Sequence, residues 1–126
     1  MRGLTALFPL LPLILAACAP EPEPVRPRLP LDCSLSYEAL SAKVLAQPGL
    51  VPAPQERGEP YRFYNMRGGG EAFVLTQPGA PGHPAILKQV ADQEGGRKVM
   101  KNTGCAYGDK AGFDQVMAYL ESLGAR

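Results

Sequence analysis

The chain has 126 residues, with 13 Lys and Arg against 12 Asp and Glu, enough for one small domain plus processing segments. Arg2 is the only charged side chain among residues 1–17, so from residue 18 onward each sign is present 12 times. With neither a net charge nor a block of one sign, nothing supports a nucleic-acid partner, which needs a basic face to displace counterions, or a polyionic tail. Fourteen prolines and fourteen glycines are many for this length, but five of the prolines fall between Ala19 and Leu31. The bias is local, and the remainder is compatible with a globular domain.

Met1-Arg2-Gly3 precedes an uncharged apolar run from Leu4 to Ala17. A helix of that length reaches only ~21 Å, short of a ~30 Å hydrocarbon core, and Pro9 and Pro12 weaken it further. The run reads as the apolar part of a signal peptide, not as a permanent span. At its end, Leu15-Ala16-Ala17-Cys18 resembles the lipobox of bacterial lipoproteins, an apolar residue and two small ones before a cysteine. The resemblance covers only the targeting segment. It implies a diacylglyceryl group on the Cys18 thiol, cleavage before Cys18 and acylation of the new amine. The alternative is an ordinary secretory peptide with a coincidental cysteine. Ala19 stands where, in enterobacterial lipoproteins, an aspartate retains the protein in the inner membrane. The resemblance therefore implies an outer-membrane anchor facing the periplasm, with the membrane as a partner through lipid on Cys18.

From Ala19 to Pro30 proline recurs too often for helix or sheet, since each one removes a backbone donor. Residues 18–31 are expected to be the lipidated cysteine and an extended tether, reaching up to ~37 Å. Residues 32–126 are expected to form a small α+β domain.

Two cysteines remain, Cys33 and Cys105. An even remainder in an exported chain predicts a disulfide, which closes a long loop and contributes roughly 4 kcal/mol on chain-entropy grounds. A metal site built from Cys33, Cys105 and His83 is the sharper alternative. It lacks a fourth ligand and the close-spaced pairs of structural zinc sites, so no metal and no cofactor is expected.

Within the domain, Ser34 to Ala46 carries a helix start signal and an apolar stripe of Tyr37, Leu40 and Val44. Pro48-Gly49 ends it, and residues 49–60 read as a proline-rich loop. Tyr61–Met66 and Glu71–Thr76 flank Gly68-Gly69-Gly70 as one hairpin, and Ala85–Ala91 and Arg97–Thr103 flank Glu94-Gly95-Gly96 as another. Asp109 is the expected N-cap of a last helix whose apolar face is Phe113, Val116, Met117, Leu120 and Leu123. The expected order is helix, a four-stranded antiparallel sheet of two hairpins, helix, with both helices on one face.

The segment Gln77 to Pro84 joins the hairpins, with Pro78, Pro81 and Pro84 at the period of a polyproline II helix and His83 as the only histidine. It is a candidate binding loop; the bland reading is a stiff connection whose prolines limit unfolded-state entropy. His83 has no Gly-x-Ser-x-Gly or similar nucleophile motif beside it, so no catalytic residue is assigned. The triple glycine lacks the Lys-Ser/Thr of a phosphate loop. Strand alternation puts Tyr61 and Phe63 on one face and Tyr64 on the other, which makes Arg62 and Tyr64 a candidate exposed contact. Asn102 to Lys110 is either a ligand rim at a helix N-terminus or simply the turn that holds the cysteine and the cap.

These readings add up to a non-enzymatic envelope adapter or binding module, its partner an envelope protein or a cell-wall ligand. The alternatives are a small-ligand binder or inhibitor working through residues 77–84, and a small hydrolase.

Overall fold

The computed structural model describes residues 28–124, with Gly3, Pro9, Leu10 and Pro12; Cys18 and residues 19–27 of the tether lie outside the described residues. The element order is α1 (Tyr37–Leu45), β1 (Leu50–Pro52), β2 (Tyr61–Met66), β3 (Glu71–Thr76), β4 (Ala85–Glu94), β5 (Arg97–Ala106) and α2 (Lys110–Gly124). All neighbouring strands pair antiparallel, in the order β1-β2-β3-β4-β5. The α+β class and the two hairpins are as expected.

Two expectations need correction. The sheet has five strands, not four, because Leu50–Pro52 leaves the presumed loop and pairs with residues 64–66. The helices also lie on opposite faces of the sheet. Phe73, Leu75, Ile86 and Cys105 form one cluster with Leu40 and Val44 of α1, whereas Val74, Ala85 and Leu87 form another with Val116 and Leu120 of α2. Side chains alternate across a strand, so β3 and β4 are buried on both sides and the sheet is the middle of three layers.

Local chemistry explains the boundaries. Asp32 accepts hydrogen bonds from the Ser34 main-chain and side-chain groups at 3.0 and 2.6 Å, folding residues 32–34 into a turn. The helix therefore starts later than Ser34, with Ser36 as the N-cap accepting from the Ala39 amide at 3.1 Å. Asp109 caps α2 as expected, accepting from the Gly112 amide at 2.8 Å. On that helix Val116 and Leu120 are buried and Phe113 and Met117 pack beside them, but Leu123 is 38% exposed. Gly95 and Gly96 both have positive φ, 56° and 78°, which suits the two-residue turn between β4 and β5.

β3 pairs with β4 only as far as Val90. Beyond it β4 and β5 continue to the Glu94–Arg97 pair as a two-stranded arm. Among the described residues no helix is long and apolar enough to cross a membrane.

Candidate functional site

The features with the most chemistry gather where the end of the tether crosses the sheet. Cys33 and Cys105 form a disulfide with a Cα–Cα distance of 5.3 Å. Cys105 is buried in β5, and Cys33 lies at the surface in the turn made by Asp32. From there the chain runs back along the α1 face as a strap, with Leu29 and Leu31 packed against the core. The Leu29 carbonyl accepts a 2.7 Å hydrogen bond from Lys88 Nζ.

Lys88 is 8% exposed. Its ammonium lies 3.4 Å from Glu71 Oε1 and 5.8 Å from the centre of the Phe73 ring. Glu71 Oε1 is buried and makes no hydrogen bond of its own, so its compensation is the charge of Lys88. A buried ion pair of this kind holds only while both partners remain. The strap is therefore part of the fold, tied by a disulfide at one end and a charged hydrogen bond at the other. Further along, Asp92 and Glu94 bridge Lys101 at 3.2 and 3.1 Å. Hydrogen bonds to the Gln93 amide and to Lys101 hold the Asp92 carboxyl below its ordinary range, with Arg28 adding a smaller pull.

The loop expected to present His83 at its tip folds inward. His83 Nδ1 shares a 2.8 Å hydrogen bond with Thr76 Oγ1, and the ring meets Tyr37 edge-on at 6.2 Å. Thr76 Oγ1 also accepts from the Ala85 amide at 2.8 Å, closing the loop at its base. Gly82 has a φ of 68°, and a Cβ there would collide with the backbone of Phe113 at the start of α2. Ala80 is buried, His83 and Pro84 are half-buried, and Pro78 and Pro81 are exposed. The two exposed prolines thus cap a segment clamped between β3 and α2, and the His83–Pro84 bond is cis.

Arg62 and Tyr64 are half-buried. Arg62 Nη1 donates to Gln55 Oε1 at 2.6 Å, and Gln55 donates in turn to Gln77 Oε1 at 2.8 Å. Tyr64 packs against the cluster under α1. Its ring faces away from Tyr61 and Phe63, as alternation requires, but toward the core cluster that α1 covers.

Three residues in this region were not singled out from sequence as a group. Tyr107 donates to the Leu35 carbonyl at 2.8 Å and meets Tyr37 edge-on at 5.8 Å. Burial first, then the Asp32 and Glu38 carboxylates, raise the Tyr107 phenol above its usual range. With Thr76 and Tyr37 it forms a polar seam between α1, the disulfide turn and the loop. The hint in the sequence is Tyr107, two residues after Cys105.

Both sulfurs are consumed by the disulfide, which removes the thiolates that a Cys33–Cys105–His83 metal site requires. Among the described residues no group of three His, Cys, Asp or Glu is gathered to hold a metal ion. An open depression of about 420 Å³ lies on the arm, lined by Ala91, Asp92, Gln93 and Lys98. Comparison with protein families, curated proteins and solved structures finds no match for this chain.

Proposed function

We propose that the protein is a lipid-anchored module of the bacterial envelope that holds a rigid three-layer domain close to the outer membrane and acts there by binding. The observation that carries this reading is the strap. The segment that leads from the lipobox-like Cys18 is built into the domain through Leu29, Leu31, the Lys88 hydrogen bond and the Cys33–Cys105 disulfide. A tether that served only as a loose leash would need none of these attachments. Coupled to the core in this way, the strap sets which face of the domain looks toward its anchor. The candidate His83 is held by Thr76, and the buried Lys88 by Glu71 and Leu29. These contacts fit recognition by surface and by main chain.

The test is in-cell crosslinking and affinity purification of the C-terminally tagged full chain, beside its Cys18→Ser version. The reading expects specific protein recovered with the wild type in the membrane fraction and lost or scattered with Cys18→Ser. Equal distribution and identical captured proteins for both versions would oppose it.

A further inference from the structure

The two edges of the sheet are built differently. β1 is three residues long and ends in Pro52, which has no amide hydrogen to offer, so that edge is blunted. β5 is ten residues long and contains no proline. The Tyr107 amide donates to the Pro84 carbonyl directly across the β4–β5 ladder, which sets the alternation. Odd-numbered residues of β5 bond to β4, and Lys98, Met100, Asn102, Gly104 and Ala106 turn their main-chain groups outward. Among the described residues the strap meets this row at Gly104, where Cys33 Sγ lies 3.7 Å from the carbonyl. An edge this long and regular is a template for another strand.

We propose that the edge of β5 pairs antiparallel with β5 of a second copy, about a two-fold axis at Asn102, to make a ten-stranded sheet. Four observations single out a second copy and this register. Centred on Asn102, Lys98 lies opposite Ala106 of the other copy, Lys101 opposite Thr103 and Arg97 opposite Tyr107, so no like charges meet. Arg97 and Tyr107 share the α1 face by strand alternation, and the Asp32 and Glu38 carboxylates lie within electrostatic reach of Tyr107. The exposed Arg97 of each copy therefore faces an acidic patch of the other, a self-complementary arrangement that an isologous interface requires. Lys101, the other face-sharing cation at the interface, is already neutralised by Asp92 and Glu94.

Asn102 itself supplies the third observation. On the axis it lies opposite its own copy, and an uncharged amide there brings no like-charge repulsion. The fourth is where the chain leads. A two-fold perpendicular to the sheet leaves both straps on the same face, so two copies anchored through Cys18, as proposed above, would share one membrane. The ten steps from Cys18 to Arg28 can span at most about 35 Å. The pairing does not require the anchor; confinement of both copies to one bilayer would raise their effective concentration.

The test uses the full chain in native membranes, with a photoreactive benzoylphenylalanine in place of Thr103 on β5, or of Glu56 beyond β1 as control. The expected result is a crosslinked species of twice the chain mass from the Thr103 position and none from Glu56. Arg97→Glu should reduce that species by about fivefold, and Arg97→Glu with Glu38→Arg should restore it, since the reversed charges again face each other. Absence of the doubled species, capture of a different protein at Thr103, or a doubled species indifferent to Arg97→Glu would each overturn the proposal.

Discussion

Lys88 Nζ donates to the Leu29 carbonyl at 2.7 Å while lying 3.4 Å from the Glu71 carboxylate, so one buried cation joins the strap to the middle of the sheet. Lys88→Met keeps the stem but strands the Glu71 charge. A loss of roughly 3–5 kcal/mol is expected in urea denaturation, the range for breaking a buried pair from one side. Lys88→Met combined with Glu71→Leu should recover most of that loss, because the unpaired charge goes with it. Equal losses for the single and double variants would show that the pair carries no special weight.

The disulfide should matter through the unfolded chain. Residues 33 and 105 are 72 apart in sequence, and releasing a loop of that size costs roughly 4 kcal/mol. Cys33→Ala/Cys105→Ala should lower the urea midpoint accordingly, and reductant should shift the wild type but not the variant.

Gly82 and Gly79 allow a matched comparison within one loop. Both have positive φ, 68° and 101°, but a Cβ at Gly79 meets open space, whereas at Gly82 it meets the Phe113 backbone. Gly79→Ala should cost about 1 kcal/mol from its backbone angle alone. Gly82→Ala should cost at least ~2 kcal/mol more, since α2 and the loop must separate. Thermal melts of the two variants check this.

Tyr61 supplies a pH signature. Burial first, then Tyr119 and Glu59, raise its phenol above the ordinary value of 10.0, and its ring stacks on Tyr119 at 5.5 Å. A raised pKa means the neutral form is favoured in the fold. The associated stability is fully present below pH 10, where the unfolded phenol is also neutral. It is lost as pH rises through the folded-state value. Stability should therefore fall more steeply above pH 10 in the wild type than in Tyr61→Phe, measured by urea midpoints across the alkaline range.

The first hairpin was legible to the residue because three glycines separate two apolar-rich runs. The caps at Ser36 and Asp109 follow from side chains that compete for helix-end amides, although the start of α1 was displaced by the Asp32 turn. β1 was hidden because three residues ending in proline have no period to detect; only the partner strand makes them a strand. The opposed helices do have a signal in the sequence. Phe73-Val74-Leu75 and Ala85-Ile86-Leu87 are unbroken apolar runs, the pattern of strands buried on both faces, whereas helices on one face would require alternation. The periodicity of each helix shows that one side is buried and says nothing of which side of the sheet receives it.

The site was legible in pieces. The cysteine pairing followed from counting, and the stiffness of residues 77–84 from their prolines. That His83 turns toward Thr76, that Lys88 reaches the Leu29 carbonyl 59 positions away, and that Tyr64 packs into the cluster under α1 are long-range facts. No local pattern encodes them.

The central claim is that a lipid on Cys18 holds this domain at the envelope through an integral strap. The most direct test is the intact mass of the mature protein extracted from membranes, with the Cys18→Ser version beside it. The account predicts a chain beginning at Cys18 and carrying the added mass of a diacylglyceryl group and an acyl chain, absent from Cys18→Ser. A soluble chain cut elsewhere and bearing no lipid would contradict it.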